Sequence, residues 1–225
     1  IMAEKTSDTD WLDSAKYKSL ILEHHMAASR LGFLDLYASL NESGYFDTSL
    51  RNGSIPEISF LANIISPLKS AYQNNDDFEV AKIVRQHSPF LSRKVLLEND
   101  KNQDKLLETA EKAVEELLLL WKEGVTPTCI EVLRTIRKTK LFPLNDRVDD
   151  IVSDPVDEED DKITVLRKAF SVPFDELERY AAYVTDNTQF ATHQGVKGLE
   201  FPRVMVIMDD SGSKGFLFSY EKLFG

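Results

Sequence analysis

Cysteine is almost absent from this chain, and its scarcity excludes two kinds of cross-link. The 225 residues include one cysteine, Cys129, so the chain has no internal disulfide and no zinc site built on paired cysteines. The four histidines include the adjacent pair His24-His25, whose side chains would point in different directions on a helix or a strand. We therefore expect no metal site, and the composition suits the reducing cytoplasm.

Long apolar runs are missing as well. No stretch approaches the ~20 apolar residues that a membrane-spanning helix needs, and residues 1–13 are polar and acidic, unlike a signal peptide. The hydrophobic content of 42% and the charged content of 29% are those of a soluble globular protein with a sizeable core. The net charge of −11 argues against a wholly basic DNA-binding surface, although a local cleft can still contact DNA. We expect no membrane partner.

The segment from Thr192 to Met208 combines a glycine-flanked polar turn with an apolar run. It reads Thr-His-Gln-Gly-Val-Lys-Gly-Leu-Glu-Phe-Pro-Arg-Val-Met-Val-Ile-Met. The pattern predicts a short strand, a turn that carries Lys197 and Glu200, and then a fully buried strand. Backbone N–H groups at such a turn can approach a phosphate closely because glycine has no Cβ, and a glutamate can accept hydrogen bonds from a sugar hydroxyl. The segment therefore predicts contact with a nucleotide, a polynucleotide backbone, or both.

Residues 197–202, Lys-Gly-Leu-Glu-Phe-Pro, resemble motif V of superfamily 1 helicases of the UvrD/Rep type. That motif typically reads Thr-x-His-x-x-Lys-Gly-Leu-Glu-Phe and precedes an apolar strand. Thr192 stands at the motif's threonine. The chain departs from the motif at its histidine, where Gln194 stands, and has a histidine one position earlier, at His193.

The resemblance implies a role for each matching residue. Glu200 would contact the ribose of ATP and Gly198 would lie near its γ-phosphate, while Lys197 would support the loop or reach phosphate. The DNA backbone would be contacted by Thr192 and by His193 or Gln194; the sequence leaves open which of these last two faces the strand.

A second, shorter segment resembles the strand-to-helix motif IVa of the same family. Residues 17–22 predict a buried strand, and residues 26–40 predict an amphipathic helix. The predicted apolar positions of that helix are Leu31, Leu34, Tyr37, Ala38 and Leu40. Between strand and helix, Ser29-Arg30 matches the Ser-Arg pair that faces DNA in the family, whereas His24 stands where the family often has arginine. Ser29 and Arg30 are therefore further candidates for DNA contact.

The middle of the chain has a helical pattern. From about residue 51 to 172, apolar residues recur at helical spacing and no strand alternation of useful length is present. The predicted helices cover residues 58–72, 77–86, 104–122, 128–139 and 163–170. Asp76 or Asp77 is expected to cap the second of these helices, Thr126 or Thr128 the fourth, and Gly124 is expected to end the third.

An α/β pattern at both ends with helices between them predicts an inserted domain. The resemblance implies that an incomplete RecA-like parallel-sheet domain, called 2A, covers residues 14–50 and, truncated, 174–225. A mostly α-helical insertion, called 2B, would cover residues 51–173. The chain ends in the apolar stretch 216–225, and we expect it to be a piece of a larger protein.

Two charged features lie within the insertion. Residues 154–161 carry six acidic residues in eight positions, which is typical of a solvated linker. Arg134, Arg137 and Lys138 share one face of a predicted helix. This face is either a simple solvated surface or a contact for duplex phosphates.

The chain lacks most parts of an ATPase. It contains no Gly-x-x-x-x-Gly-Lys-Ser/Thr sequence, and no arginine-bearing motif VI follows motif V. Asp209-Asp210 follows a predicted strand, but its place after motif V makes it the end of a 2A strand. Phosphoryl transfer needs a phosphate cradle, Mg²⁺ ligands and a group that orients water, so this chain holds no catalytic residue and no bound cofactor by itself.

The resemblance as a whole implies the C-terminal portion of an ATP-dependent DNA helicase or translocase. In the intact protein, ATP and Mg²⁺ would bind between a missing N-terminal RecA-like domain and 2A, and the partner would be single-stranded or duplex DNA. An alternative is a non-catalytic, helicase-like module that binds DNA or a protein. A doubly wound nucleotide-binding enzyme of another kind would need a glycine-rich loop after the first strand, and residues 23–25 are Glu-His-His.

Overall fold

The computed structural model describes residues 2–21, 23–98, 102–155, 160–185, 187–192 and 196–207. The α-helices in these ranges are α1 (Met2–Thr6), α2 (His24–Leu31), α3 (Leu34–Glu42), α4 (Asp47–Asn52), α5 (Pro56–Phe60), α6 (Ser66–Gln73), α7 (Asp77–His87), α8 (Arg93–Glu98), α9 (Gln103–Leu118), α10 (Cys129–Thr139), α11 (Asp146–Val152), α12 (Asp161–Phe170) and α13 (Phe174–Val184). Shorter 3-10 segments cover Thr9–Leu12, Ser14–Lys16, Pro89–Leu91 and Leu119–Gly124, and a π-helical segment, Leu61–Ile65, joins α5 to α6.

Three short strands form one parallel sheet in the described part of the chain. They are β1 (Lys18–Ile21), β2 (Phe190–Thr192) and β3 (Val204–Val206), and β1 lies between the other two. Ile21 pairs with Thr192 on one side of β1, and Lys18 pairs with Val204 on the other. The chain therefore leaves the sheet after β1 and returns only at β2. Residues at both ends of the described chain thus share one parallel sheet, as the α/β pattern predicted at the two ends requires, and Leu22 lies outside the described residues.

One face of the sheet packs on the hydrophobic core. The strand register places Ser19, Ile21, Phe190 and Thr192 on one face. Ile21 and Phe190 belong to the same hydrophobic core as the buried side of α2, and this core continues through the helical region. The structure is thus mostly helical with a small parallel sheet, which agrees with an α/β class. The 2A and 2B boundaries at residues 51 and 173 stay predictions.

The strand predicted over residues 203–208 is present, but the prediction that it is fully buried is wrong. The strand exists as β3, but the side chains of Val204 and Val206 are 40% and 48% exposed. Both lie on the sheet face opposite Ile21, and β3 pairs with β1 alone among the described strands. An apolar run shows that a strand is favoured, but it does not show whether a second layer covers it. Met208 and Asp209-Asp210 lie outside the described residues.

The single helix predicted over residues 26–40 is two helices. Gly32 adopts a left-handed conformation with φ of 76° and ends α2, and α3 begins at Leu34. Left-handed backbone is unfavourable for residues with a Cβ, so this glycine is where the chain can turn. The break also changes which side chains face the core. Tyr37 and Leu40 are buried as predicted, whereas Ala38, which was predicted to belong to the apolar face, is exposed.

The predicted helices of the middle region are present, and their caps explain where they begin. The Asp76 carboxylate accepts a hydrogen bond from the Glu79 amide at 3.0 Å. Thr128 caps α10 in a capping box, in which Thr128 Oγ1 accepts from the Glu131 amide and the Glu131 carboxylate accepts from the Thr128 amide. The helix predicted over residues 104–122 is α-helical only as far as Leu118 and continues as a 3-10 segment to Gly124. None of the helices in the described ranges has the length and hydrophobicity to cross a bilayer.

Candidate functional site

The two segments singled out by the sequence begin at the same edge of the sheet. Ile21 and Thr192 are the last residues of β1 and β2 and pair with each other in parallel register. The chain that leaves β1 enters α2 at His24, and the chain that leaves β2 enters the motif V-like segment. The carboxyl edge of a parallel sheet is where open α/β sheets bind ligands. His193 and Gln194 lie outside the described residues.

A tight turn presents the three residues proposed to contact ATP. The Leu199 amide donates to the Val196 carbonyl at 3.0 Å, and Gly198 has φ of 81°. A positive φ at the third position of a four-residue turn is the type II geometry, which favours glycine there. A Cβ added to Gly198 would meet no atom within 4 Å, so the backbone borders open space. Lys197, Gly198 and Glu200 are all exposed.

Thr192 is placed differently from these three residues. It is 8% exposed and lies on the sheet face that α2 covers, beside Ile21. A direct contact between Thr192 and DNA would therefore be made at the rim of the sheet, where β2 ends, rather than from an open surface.

Helix α2 presents Ser29 and Arg30 on its outer side. Met26, Ala27 and Ala28 are buried against the core, whereas Ser29 and Arg30 are exposed. The helix packs against both β1 and β2. The exposed Ser-Arg pair therefore belongs to the element that follows the carboxyl edge of β1.

His24 has a partner within the fold. This residue stands where motif IVa often has an arginine. Its Nδ1 lies 2.8 Å from the Tyr183 hydroxyl, and the two rings meet edge to face with centroids 5.9 Å apart. Burial lowers the pKa of His24, and the nearby Arg51 lowers it further, so both effects favour the neutral ring. His24 thus joins α2 to α13. The sequence held no sign of Tyr183 as its partner.

The basic face of α10 is occupied by contacts within the chain. Arg137 Nε lies 2.9 Å from the Asp149 carboxylate, and Lys138 Nζ lies 2.6 Å from that of Glu116. Arg134 Nε donates to the Val152 carbonyl at 3.3 Å. A phosphate bound here would compete with these exposed ion pairs, and both roles predicted for this face stay predictions.

The remaining polar candidates have local roles. The acidic run is described only at its ends: the Asp160 carboxylate accepts from the Lys162 amide and caps α12, and the Asp161 carboxylate accepts from the Tyr45 hydroxyl. Cys129 is fully buried, and burial raises the pKa of its thiol far above the usual range. Within the described ranges, no three His, Cys, Asp or Glu side chains are grouped so that they could hold a metal ion.

Comparisons of the chain with protein-family models, with curated proteins and with solved structures gave no match in any of the three cases. The motif-like segments and their positions in the fold are therefore the features that bear on the function of this chain.

Proposed function

We propose that this chain is the 2A/2B portion of a UvrD/Rep-type, ATP-dependent DNA helicase or translocase. It supplies one wall of an ATP cleft and part of a single-stranded DNA track. The observation that carries the proposal is the parallel pairing of Ile21 with Thr192. This pairing brings the motif V-like segment and the segment resembling motif IVa to one edge of one sheet, although they are far apart in sequence.

The turn offers the chemistry of one wall of a nucleotide site. Lys197 supplies an exposed cation, Gly198 an open backbone, and Glu200 an exposed carboxylate that can accept hydrogen bonds from ribose hydroxyls. These residues fit contact with a nucleotide but not its hydrolysis, because phosphoryl transfer also needs a phosphate cradle, Mg²⁺ ligands and a group that orients water. In the proposal, a first RecA-like domain of the same protein supplies these parts.

The exposed apolar side chains of β3 support the same proposal. Val204 and Val206 leave one face of the sheet partly open in the described residues. Parallel sheets are normally covered on both faces. Lys18 and Ala191 on the same face are buried, so the opening is confined to the β3 edge of the described sheet, and in the proposal another part of the intact protein packs there.

The direct test is ATP turnover, measured with and without single-stranded DNA. The purified 225-residue chain should not hydrolyse ATP under either condition, whereas the intact protein should hydrolyse it faster when DNA is added. DNA-stimulated ATP hydrolysis by the chain alone would contradict the proposal. An intact protein that binds DNA but never hydrolyses ATP would favour the alternative, a non-catalytic helicase-like module.

A further inference from the structure

The residues before β1 are held to the protein with little apolar contact. We call residues 2–17 the amino-terminal segment. None of its described side chains is buried. Internally, the rings of Trp11 and Tyr17 contact each other at a tilt of 40° with centroids 5.5 Å apart, and Lys16 Nζ lies 2.8 Å from the Asp10 carboxylate. Polar contacts must therefore contribute strongly to its position.

Arg203 joins this segment to the sheet. Its Nε lies 2.6 Å from Asp8 Oδ2, and its Nη2 lies 2.7 Å from Asp10 Oδ2. The planar guanidinium can bind two carboxylates at once, which a lysine cannot do in the same geometry. The Arg203 side chain is 25% exposed, so these ion pairs are partly shielded from solvent.

Arg203 is also fixed to β1 through its backbone. Its carbonyl accepts a hydrogen bond from the Lys18 amide at 3.0 Å, at the start of β1. Lys18 Nζ in turn lies 5.8 Å from the ring centre of Phe201. Arg203 is the last residue of the segment Val196–Arg203, which contains Gly198 and Glu200. The rigid ring of Pro202 directly precedes Arg203.

A cavity separates the two segments where close packing would otherwise fix them. It has a volume of ≈ 640 Å³ and is lined by residues 15–18, 187–189 and 201–203. It lies at the amino-terminal edge of the sheet, opposite the edge where β1 and β2 end. The ion pairs of Arg203 join one wall of this cavity to the amino-terminal segment, and so provide a direct electrostatic link between the two sides.

We propose that Arg203 is a positioning residue whose ion pairs with Asp8 and Asp10 make the order of Val196–Arg203 depend on the amino-terminal segment. A displacement of the chain before β1 is then transmitted to the turn at Gly198. The consequence for ATP rests on the proposed function, because it assumes that Glu200 contacts the nucleotide. The coupling between the two segments does not.

Residue-resolved amide exchange of the 225-residue chain tests the coupling. Three hydrogen-bonded amides report on it: those of Asp10 and Asp13 in the amino-terminal segment and that of Leu199 in the turn. In Arg203→Gln all three should exchange about three- to tenfold faster, the range expected when two ion pairs near the protein surface are lost. Arg203→Lys should give an intermediate effect. Arg51→Gln, which removes an exposed arginine paired with Asp47, is the matched control and should leave these amides unchanged.

The opposite side of the contact supplies a second test. Asp8→Asn with Asp10→Asn keeps the oxygen that caps the 3-10 turn but removes both charges. This double variant should speed exchange at Leu199 as much as Arg203→Gln does, and the two changes together should add nothing further. Raising the salt concentration to about 1 M should speed exchange at Leu199 in the natural chain and not in Arg203→Gln, because salt screens ion pairs that solvent still reaches.

The outcomes separate the coupling from the helicase proposal. If Leu199 exchange is unchanged in the Asp8/Asp10 double variant, the coupling is wrong, whatever the protein does with ATP. If Leu199 exchange rises in Arg203→Gln but the intact protein's affinity for ATP is unchanged, the coupling stands and the role proposed for Glu200 fails. If both change together, both proposals are supported.

Discussion

Glu200→Gln and Thr192→Val, tested in the intact protein, should separate nucleotide binding from DNA binding. Glutamine keeps the shape of Glu200 and some hydrogen bonding but removes the charge. Valine matches the shape of Thr192 and removes only its hydroxyl. We choose valine because Thr192 is 8% exposed within β2, where a β-branched side chain fits the strand and a smaller one would leave a void.

The size of each effect follows from burial and charge. Hydrogen bonds to a charged group contribute about 1.5–3 kcal/mol, and glutamine retains part of this, so Glu200→Gln should weaken ATP affinity about tenfold. Glu200 is exposed, so its replacement should change the free energy of unfolding by less than about 0.5 kcal/mol. Thr192→Val should cost about 1 kcal/mol of stability and weaken DNA affinity about tenfold, with ATP affinity in the absence of DNA retained.

The assay is a pair of equilibrium titrations on each variant: labelled ATP without DNA, and labelled single-stranded DNA without ATP. Thermal unfolding of each variant controls for general loss of structure. The reasoning predicts one lost affinity per variant. Equal loss of both affinities in both variants, or no loss in either, would refute the division of roles along Thr192–Glu200.

Two further predictions concern the stability of the 225-residue chain. The side chain of Glu57 is fully buried, and Arg147 Nε and Nη2 each donate to its carboxylate at 2.7 Å. Arg147→Met should therefore lower the free energy of unfolding, measured in urea, by about 3 kcal/mol, and adding Glu57→Gln should restore part of this loss. If Arg147→Met is as stable as the natural chain, the ion pair does not stabilise the fold. Burial raises the pKa of Glu176, so the folded state binds this proton more tightly than the unfolded chain does, and this stabilising contribution is lost as the pH rises through the raised pKa. Glu176→Gln, which can still accept from the Leu36 amide, should therefore gain melting temperature relative to the natural chain between about pH 4 and pH 7; a constant difference across that range would show that Glu176 does not titrate in this way.

Local signals in the sequence predicted local structure well. Asp76 and Thr128 accept the capping hydrogen bonds expected of them, because a side chain that caps a helix acts within a few residues. That β1 and β3 lie in one parallel sheet was also predictable, since the strands flank recognisable segments. The break at Gly32 had a signal, the glycine itself, but the apolar spacing on either side of it favoured one continuous helix.

Contacts between distant residues could not be predicted in the same way. Arg137 and Lys138 share a helix face with a basic pattern, yet their partners Asp149 and Glu116 lie on other helices. Nothing in the spacing of Asp8 and Arg203 indicates that they form an ion pair, because the contact exists only once the sheet brings the segments before β1 and β3 together. The exposure of Val204 is likewise set by the layers around the sheet, which the strand's own composition does not encode.

Mapping the path of DNA over the intact protein is the most direct test of the proposed function. Single-stranded DNA that carries a photoreactive base would be cross-linked to the protein, and the modified peptides identified by mass spectrometry. We predict cross-links within residues 23–30 and 192–200, the two segments that begin at the carboxyl edge of β1 and β2. Cross-links confined to α10 and its neighbours, or absent from both segments, would contradict the proposed track.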